Sequence, residues 1–318
     1  MSFSTKVKDE LVRHTGEGRH CKIAEVAAII NMCGKVREVD GKLSLKVQSE
    51  NPAVARKYFT ILKKTFNINV EILIRRNRQL KKNYVYSVFI TEHKDTMKVL
   101  KATHIIREQN GRLEINHHID SLIVASTCCK RAYIRGAFIA GGSLSDPEKT
   151  YHLEFVNVHE VHSIDLVKLI NSFELDAKMI QRKKYFVVYL KEGRQIVDLL
   201  NITEAHIALM ELENLRILKE MRNNVNRMVN CETANISKTV HAAVKQYDDI
   251  MYIDETIGIH QLAESLEAVA KLRVENRDAS LKELGAMLDP PVGKSGVNHR
   301  LRKISAIADR LRGQQWRA

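Results

Sequence analysis

The 318-residue sequence has four prolines, one tryptophan and five cysteines, and no apolar run of membrane-spanning length. A bilayer-crossing helix needs ~20 consecutive apolar residues, so no membrane association of that kind is expected. The opening MSFSTKVKDELVRH is charged throughout. It lacks the apolar core of a secretory signal, which predicts a protein that stays in the cytoplasm. The cysteines are Cys21, Cys33, Cys128, Cys129 and Cys231; they are odd in number and form no CxxC. That excludes a disulfide framework and predicts reduced thiols serving as small core residues, with no metal site and no cofactor. So little proline, with fourteen glycines, argues against a long disordered tract. Negative charge is also in short supply: 51 Lys and Arg face 38 Asp and Glu, a net +13 with a pI near 9.5. The excess predicts a polyanionic partner, with nucleic acid ahead of an anionic membrane surface.

What is present reads as an α+β region followed by an all-helical one. A helix over 4–14 precedes a buried helix over 21–33, CKIAEVAAIINMC, which Gly34 is placed to end with a left-handed C-cap. Strands over 35–39 and 42–48 flank Asp40-Gly41, a type I′ hairpin signal. Asn51-Pro52 starts a helix that runs to Phe66. Strands over 69–75 and 83–90 flank a basic turn, and a helix over 94–102 completes an α-β-β-α-β-β-α order.

The same order returns about a hundred residues later. A helix over 128–140 leads to Gly141-Gly142, then a strand over 151–157, a helix over 160–173, a hairpin over 175–182 and 185–190, and a helix over 193–201. At an offset of 108, Ala24 meets Ala132, Ala28 meets Gly136 and Gly34 meets Gly142. At an offset of 100, Ile90 meets Leu190 and Leu100 meets Leu200. Blocks that repeat in the same order point to a duplication. The expected organisation is a helical arm over 1–20, repeats over 21–102 and 128–204 joined by a linker over 103–127, a connecting helix over 205–229, and a helical DNA-binding domain over 230–318. Within that domain, helices are expected over 235–249, 259–275, 281–288 and 296–311.

The sharpest local signal is SLKELGAMLDPPVGKSGVNHRLRKISAIADRLR, residues 280–312. Ser280 and Glu283 form a capping box that opens a short helix carrying Leu281, Leu284 and Leu288. Asp289-Pro290-Pro291 stops it, and a tight connection leads to a second helix with Val297, Leu301, Ile304 and Ile307 inward. Short helix, compact turn and longer helix make a helix-turn-helix. Asn298, His299 and Arg302 face outward as base readers, while Lys294, Ser295 and Lys303 suit phosphates; Arg300 falls between the groups, and Ser280 is a further candidate DNA-binding residue. Residues 271–318 hold eleven basic and five acidic side chains, so the excess concentrates here. The basic turns with Arg75, Arg76, Arg78, Lys81 and Lys82, and with Arg182, Lys183 and Lys184, occupy equivalent hairpins and form a second candidate DNA surface.

KRAYIRGAFIAGGSLSDPEKTYHLEF, residues 130–155, resembles the LAGLIDADG helix and following strand of homing endonucleases. That resemblance implies an αββαββα pseudo-dimer in which two such helices pack side by side through Ala28, Gly136 and Ala140. It also implies that each helix should end in a metal-binding acid just before a glycine, as a two-metal mechanism requires. Here those positions are Cys33 and Gly141, neither of which is a hard oxygen ligand. A degenerate LAGLIDADG domain followed by a helix-turn-helix resembles the WhiA family of bacterial DNA-binding regulators. The resemblance spans almost the whole chain, through MSFSTKVKDEL, the central segment and SLKELGAMLDPPVGKSGVNHRLRKI. It implies a non-enzymatic, nucleoid-associated transcriptional regulator tied to cell division, chromosome segregation and, in spore formers, sporulation. Its partners would be double-stranded DNA and other regulatory or division proteins, with no membrane.

Two alternatives remain open on the sequence. One is an architectural nucleoid protein that binds DNA broadly. The other is a metal-dependent endonuclease with relocated acids, for which Asp146 and Glu148 are the nearest candidates, although a turn before the next strand suits them better. His159 and His162 stand near a helix start with a metal-ligand spacing; a charged surface pair is the simpler reading.

Overall fold

The computed structural model describes residues 2–14, 16, 18–76, 84–109 and 112–315. It divides into two compact units, 1–219 and 220–318.

In the first unit, α1 (Phe3–Leu11) precedes α2 (Arg19–Cys33), β1 (Gly34–Val39), β2 (Lys42–Ser49), α3 (Pro52–Phe66), β3 (Glu71–Arg76), β4 (Tyr84–Ile90) and α4 (His93–Ala102). The second copy runs α5 (Thr127–Gly141), β7 (Gly142–Leu144), β8 (Leu153–Asn157), α6 (Glu160–Asn171), β9 (Lys178–Arg182), β10 (Tyr185–Leu190) and α7 (Gly193–Thr203). Between the copies lies a hairpin of β5 (Ile106–Gln109) and β6 (Arg112–Ile115). The four-stranded sheets share one antiparallel order, β1-β2-β4-β3 and β7-β8-β10-β9. The mixed α+β duplication is therefore present strand for strand.

Local chemistry explains most boundaries. Asp40 and Gly41 both take positive φ, 48° and 71°, as a type I′ turn requires. The Asn51 carboxamide oxygen accepts from the amides of Ala53 and Val54, and Pro52 opens α3. Gly34 is not left-handed: its φ of −74° and ψ of 147° carry α2 straight into β1. A Cβ there would lie 2.6 Å from the Ile30 carbonyl oxygen, so glycine is required by proximity and not by handedness. Gly142, at φ −80°, does the same after α5, where a Cβ would meet the Phe138 ring.

The core centres on α2 and α5. Nearly every residue of α2 from Ala24 to Met32 is buried, as is α5 from Ala132 to Ile139. The two helices run side by side in the same direction. His20 lies against Cys129 at their starts, at 3.0 Å, and the Met32 side chain lies over Gly141 at their ends. At the closest approach a Cβ on Gly136 would stand 2.6 Å from the Glu25 carbonyl and 3.1 Å from the Ala28 Cβ. The small-residue contact between the helices is thus realised at Ala28 and Gly136.

Glu25 is buried at this crossing, 1% exposed. Lys57 of α3 lies 2.7 Å from its Oε1, and the Arg135 Nε lies 4.0 Å from its Oε2. Lys57 also donates to the carbonyls of Leu11 and His14, at 3.0 and 2.6 Å, while Arg135 binds the Glu204 carboxylate. Buried charges persist only when paired in this way. Burial lowers the Lys57 pKa, with Glu25 opposing it.

In place of separate helices over 206–229 and 235–249, a single helix α8 (His206–Thr256) spans 51 residues. No glycine or proline interrupts it before Gly258, which takes φ 84°. Glu10 of α1 caps its start, accepting from the amides of Ile207 and Ala208. The connecting helix expected over 205–229 therefore extends to Thr256. The segment expected as a linker, 103–127, carries the β5–β6 hairpin, whose four-residue strands are too short for alternation to register. β7 was likewise too short to show.

The second unit packs the end of α8 with a 3-10 turn (Ile259–Gln261), α9 (Glu264–Glu275), α10 (Leu281–Ala286) and α11 (Lys294–Gln315). The helix expected over 259–275 begins at Glu264, after the 3-10 turn. Ile250, Ile253, Leu266, Val269, Leu284, Val297, Leu301 and Ile304 form its core.

Two outcomes follow from this packing. Gly136→Ala is expected to destabilise the first unit by about 1–3 kcal/mol, although alanine is the better helix former, because the Cβ meets backbone. The urea midpoint of the purified protein checks this, and an unchanged midpoint would mean the crossing can open at no cost. The second concerns His162, which is buried with Nε2 on the Tyr133 hydroxyl at 2.9 Å and Nδ1 on the Asn157 amide. Burial pushes its pKa down to about 3. The unfolded chain takes up this proton near pH 6.5 and the folded chain does not. Stability is therefore complete above about pH 6.5 and falls by up to about 1.4 kcal/mol per pH unit below it. His14, His117 and His159, whose pKa values burial also lowers, act in the same direction. Denaturant unfolding between about pH 6.5 and 5, above the carboxylate range, should show a shallower decline for His162→Gln than for the parent.

Candidate nucleic-acid interface

The helix-turn-helix is built on α10 and α11. Ser280 accepts from the Glu283 amide at 3.3 Å and its own amide donates to the Glu283 carboxylate at 2.7 Å, so the capping box is complete. Gly285 allows the turn to fold back. Its carbonyl accepts from the Val292 amide, and a Cβ there would fall 2.0 Å from the Val292 carbonyl oxygen. Buried Arg273 holds the α9–α10 connection by donating to the carbonyls of Arg277 and Ala279, at 3.2 and 2.7 Å. Farther along α11, Arg312 binds buried Asp249 at 2.7 Å and lies over the Tyr252 ring.

These contacts fix which side of α11 faces out. Val297, Leu301, Ile304 and Ala308 are buried, and Ser295, His299, Arg302 and Lys303 are exposed on the opposite side. Asn298 is half-buried on the flank toward α10, where Leu281, Lys294, Ser295 and Asn298 line one shallow hollow. Arg300 sits on the other flank and reaches the Ser265 carbonyl of α9 at 3.4 Å. Ser280 is committed to its cap. None of Lys294, Ser295, Asn298, His299, Arg302 or Lys303 makes a side-chain hydrogen bond or ion pair to another described residue. Lys271, Arg277 and Arg312 in the same unit all have partners: Glu267, Tyr247 and Asp249.

The second candidate surface divides. Arg78, Lys81 and Lys82 lie outside the described residues. Arg75 and Arg76 end β3 and are exposed. In β2, Leu43, Leu45 and Val47 are buried, so Lys42, Ser44, Lys46 and Gln48 face the other side of the sheet. Register places Lys35 opposite Lys46, Arg37 opposite Ser44 and Arg75 opposite Val85 on that same face. Burial lowers the Lys46 pKa most, and the nearby cations Arg37, Lys35 and Arg75 lower it further. Reading the sequence singled out the hairpin tips and missed Lys35, Arg37 and Lys46. Cations at alternate positions of the first hairpin were the available signal. The second sheet differs. Arg182 lies 3.7 Å from Glu154, which also holds His152 and Ser143. Lys183 takes the left-handed turn position, and Lys184 lies over the Tyr185 ring.

At the C-terminal ends of the paired helices, the Cys33 thiol donates to the Ile29 carbonyl at 3.3 Å, and burial pushes its pKa up to about 11. A Cβ on Gly141 would stand 2.4 Å from the Met32 methyl and 3.0 Å from the Val156 carbonyl, leaving little room for a carboxylate. Asp146 accepts from the Glu148 amide within its own turn. His162 is the buried histidine described above, and His159 stacks on His117 at 3.6 Å, so the two do not converge on one point.

Two repeats sharing one sheet order, packed through paired central helices and followed by a helix-turn-helix, define a LAGLIDADG-like scaffold joined to a DNA-binding module. Three family models match: the WhiA N-terminal LAGLIDADG-like domain at residues 19–106, the WhiA LAGLIDADG-like domain at 130–222 and the WhiA C-terminal HTH domain at 225–308. The chain is 55% identical to the "Probable cell division protein WhiA" of Alkaliphilus metalliredigens, covering 99% of each. It is 53% identical to that of Lachnoclostridium phytofermentans, covering 98% of this chain and 100% of the relative. The crystal structure of full-length WhiA from Thermatoga maritima superposes with a TM-score of 0.60 at 25% identity, over 98% of this chain and 99% of that one. The chain belongs to the WhiA family. No helix among the described residues is long and apolar enough to cross a membrane.

Proposed function

We propose that this protein is a non-catalytic DNA-binding regulator that reads duplex DNA with α11. The observation that carries the reading is the exposed row Ser295, His299, Arg302 and Lys303. It has no side-chain partner among the described residues, on a helix whose opposite face is clamped by α9 and α10. A recognition helix presents its first turns to base edges in the major groove. His299 and Arg302 sit centrally for that role, with Asn298 on the α10 flank. Lys294, Ser295 and Lys303 suit phosphates. The relatives' names and the resemblance read from the sequence support a role in cell division. Transcriptional control, chromosome segregation, sporulation in spore formers and association with the nucleoid are the finer parts of the same proposal, as is docking of other regulatory or division proteins.

A second surface accompanies this reading. The face carrying Lys35, Arg37, Lys42, Lys46 and Arg75 suits a sequence-independent hold on a phosphate backbone. Crowding at Lys46 favours it, because an approaching polyanion relieves repulsion among those cations.

The test is fluorescence anisotropy on genomic and random duplexes across a salt series. Arg302→Ala or Asn298→Ala should weaken a preferred site by about 1–3 kcal/mol and relax base preference there. Lys303→Ala should weaken all sequences alike and lower the salt slope by about one. Binding indistinguishable from the parent in all three variants would transfer the DNA-binding role to the first-sheet face. A parent with no preference at any salt would favour the architectural reading.

The absence of nuclease activity has its own measurement. With Mg²⁺ or Mn²⁺, plasmid DNA should remain intact, because neither Cys33 nor Gly141 supplies a carboxylate. Cutting that copurifies with the protein and disappears on Asp146→Asn or Glu148→Gln would place the acids elsewhere and reverse this part of the proposal.

A further inference from the structure

The N-terminal ends of the paired helices carry a cluster that the DNA-binding reading does not use. His20 and Cys21 are the second and third residues of α2, and Cys128 and Cys129 hold the same places in α5. The duplication brings these two pairs together. The His20 Nδ1 lies 3.0 Å from the Cys129 Sγ, 3.4 Å from the Cys21 Sγ and 4.0 Å from the Cys128 Sγ. All four donor atoms lie within 4.8 Å of one another. The cysteines are free thiols.

We propose that His20, Cys21, Cys128 and Cys129 form a Cys₃His site for a zinc-class divalent ion that staples the starts of the two central helices. Metal–sulfur bonds of about 2.3 Å and metal–nitrogen bonds of about 2.0 Å put tetrahedral ligands roughly 3.4–3.8 Å apart, close to the spacing found here. Three thiolates and one imidazole select a soft or borderline ion over Mg²⁺ or Ca²⁺.

Burial disfavours the Cys21 thiolate in the absence of an ion, and the surroundings counter this in part. Neither helix has a side-chain cap, so the amides of both first turns are available to sulfur. Two helix N-termini converge on the cluster, and their dipoles favour thiolate. The Ser126 hydroxyl is within 3.2 Å of the Cys128 Sγ. Arg19, Lys22, Lys130 and Arg131 adjoin the ligands in sequence. Cys21 and Cys129 are buried while His20 and Cys128 are exposed, which gives an ion a way in.

No short motif announces this site. The ligands are two adjacent pairs far apart in sequence, and the spacing that usually reveals zinc is missing. Reading the cysteines as core residues is right for the packing of Cys21 and Cys129, and it passes over what the packing assembles.

The test uses the full-length protein under reducing conditions. Protein purified from zinc-supplemented medium should hold about one zinc per chain through a mild chelator challenge, read by elemental mass spectrometry. Metal-free protein titrated with Co²⁺ should develop a thiolate-to-metal charge-transfer band and the visible bands of tetrahedral cobalt. Cys128→Ser, at an exposed position, should lose zinc in the chelator challenge; Cys231→Ser, on α8, should behave as the parent. Far-ultraviolet dichroism of each variant separates loss of metal from loss of fold. The proposal fails if the folded parent retains no zinc and gives no tetrahedral cobalt spectrum. It also fails if Cys128→Ser retains as much metal as the parent, or if Cys21 and Cys129 are recovered as a disulfide that zinc does not protect against.

Discussion

Everything in the first unit hangs on the approach of α2 to α5. The backbone of Glu25 passes where a side chain on Gly136 would be, so the two helices touch main chain to main chain. Both sheets continue directly from those helices, at Gly34 and Gly142, without a loop to absorb error. A change in crossing distance would therefore move both sheets. The buried charge of Glu25 adds a constraint of direction. Lys57 and Arg135 must stay beside it, and they in turn hold the carbonyls of Leu11 and His14 and the carboxylate of Glu204. Buried ion pairs add little net stability and penalise misassembly heavily. Here the pairing holds α3, α5 and the segments after α1 and α7 to a single arrangement around the crossing.

The second unit solves a different problem with the same economy of contact. The polar side chains on the outer side of α11 are left free, so the helix takes its position from the opposite side. Val297, Leu301 and Ile304 bury one side of α11, Gly285 lets the turn close against Val292, and Arg273 secures the preceding connection. Cations with structural duties are paired: Arg312 with Asp249, and Arg277 with Tyr247. Those on α11 left without a partner among the described residues are the ones that the proposed reading gives to nucleic acid.

Features set by local chemistry could be read from the sequence. Asp40-Gly41 fixes its turn through positive φ, Asn51-Pro52 caps α3, and Ser280 with Glu283 caps α10; each acts within a few residues. The duplication was readable because a buried helix leaves a continuous apolar record at Ala24–Met32 and again at Ala132–Ile139. Features that depend on tertiary proximity were not readable. Gly34 suggested a left-handed cap, but its reason is the Ile30 carbonyl. The two helices expected in α8 are one, because a polar stretch in an exposed helix resembles a loop unless the lack of glycine and proline is weighed. Lys46 became informative only when register set it beside Lys35, Arg37 and Arg75.

The paired helices have two ends, and the sequence treats them oppositely. At the C-terminal ends, where the scaffold's resemblance calls for carboxylates, Cys33 is bonded to its own helix and Gly141 is roofed by the Met32 side chain. Restoring an acid there would require Met32 to withdraw, since a Cβ would stand 2.4 Å from its methyl group, with the Val156 carbonyl 3.0 Å away. That end serves packing. At the N-terminal ends the same twofold relation gathers three thiols and an imidazole where helix dipoles favour thiolate. Pairing two equivalent helix ends brings matched side chains together at either extremity, and which extremity carries chemistry depends on the residues placed there. Here the crossing is kept for its geometry, and Cys33 and Gly141 at its C-terminal ends are occupied by packing contacts. On the readings proposed above, the polar work of the first unit would fall on the cations of its first sheet and on the cysteine–histidine end of its helix pair.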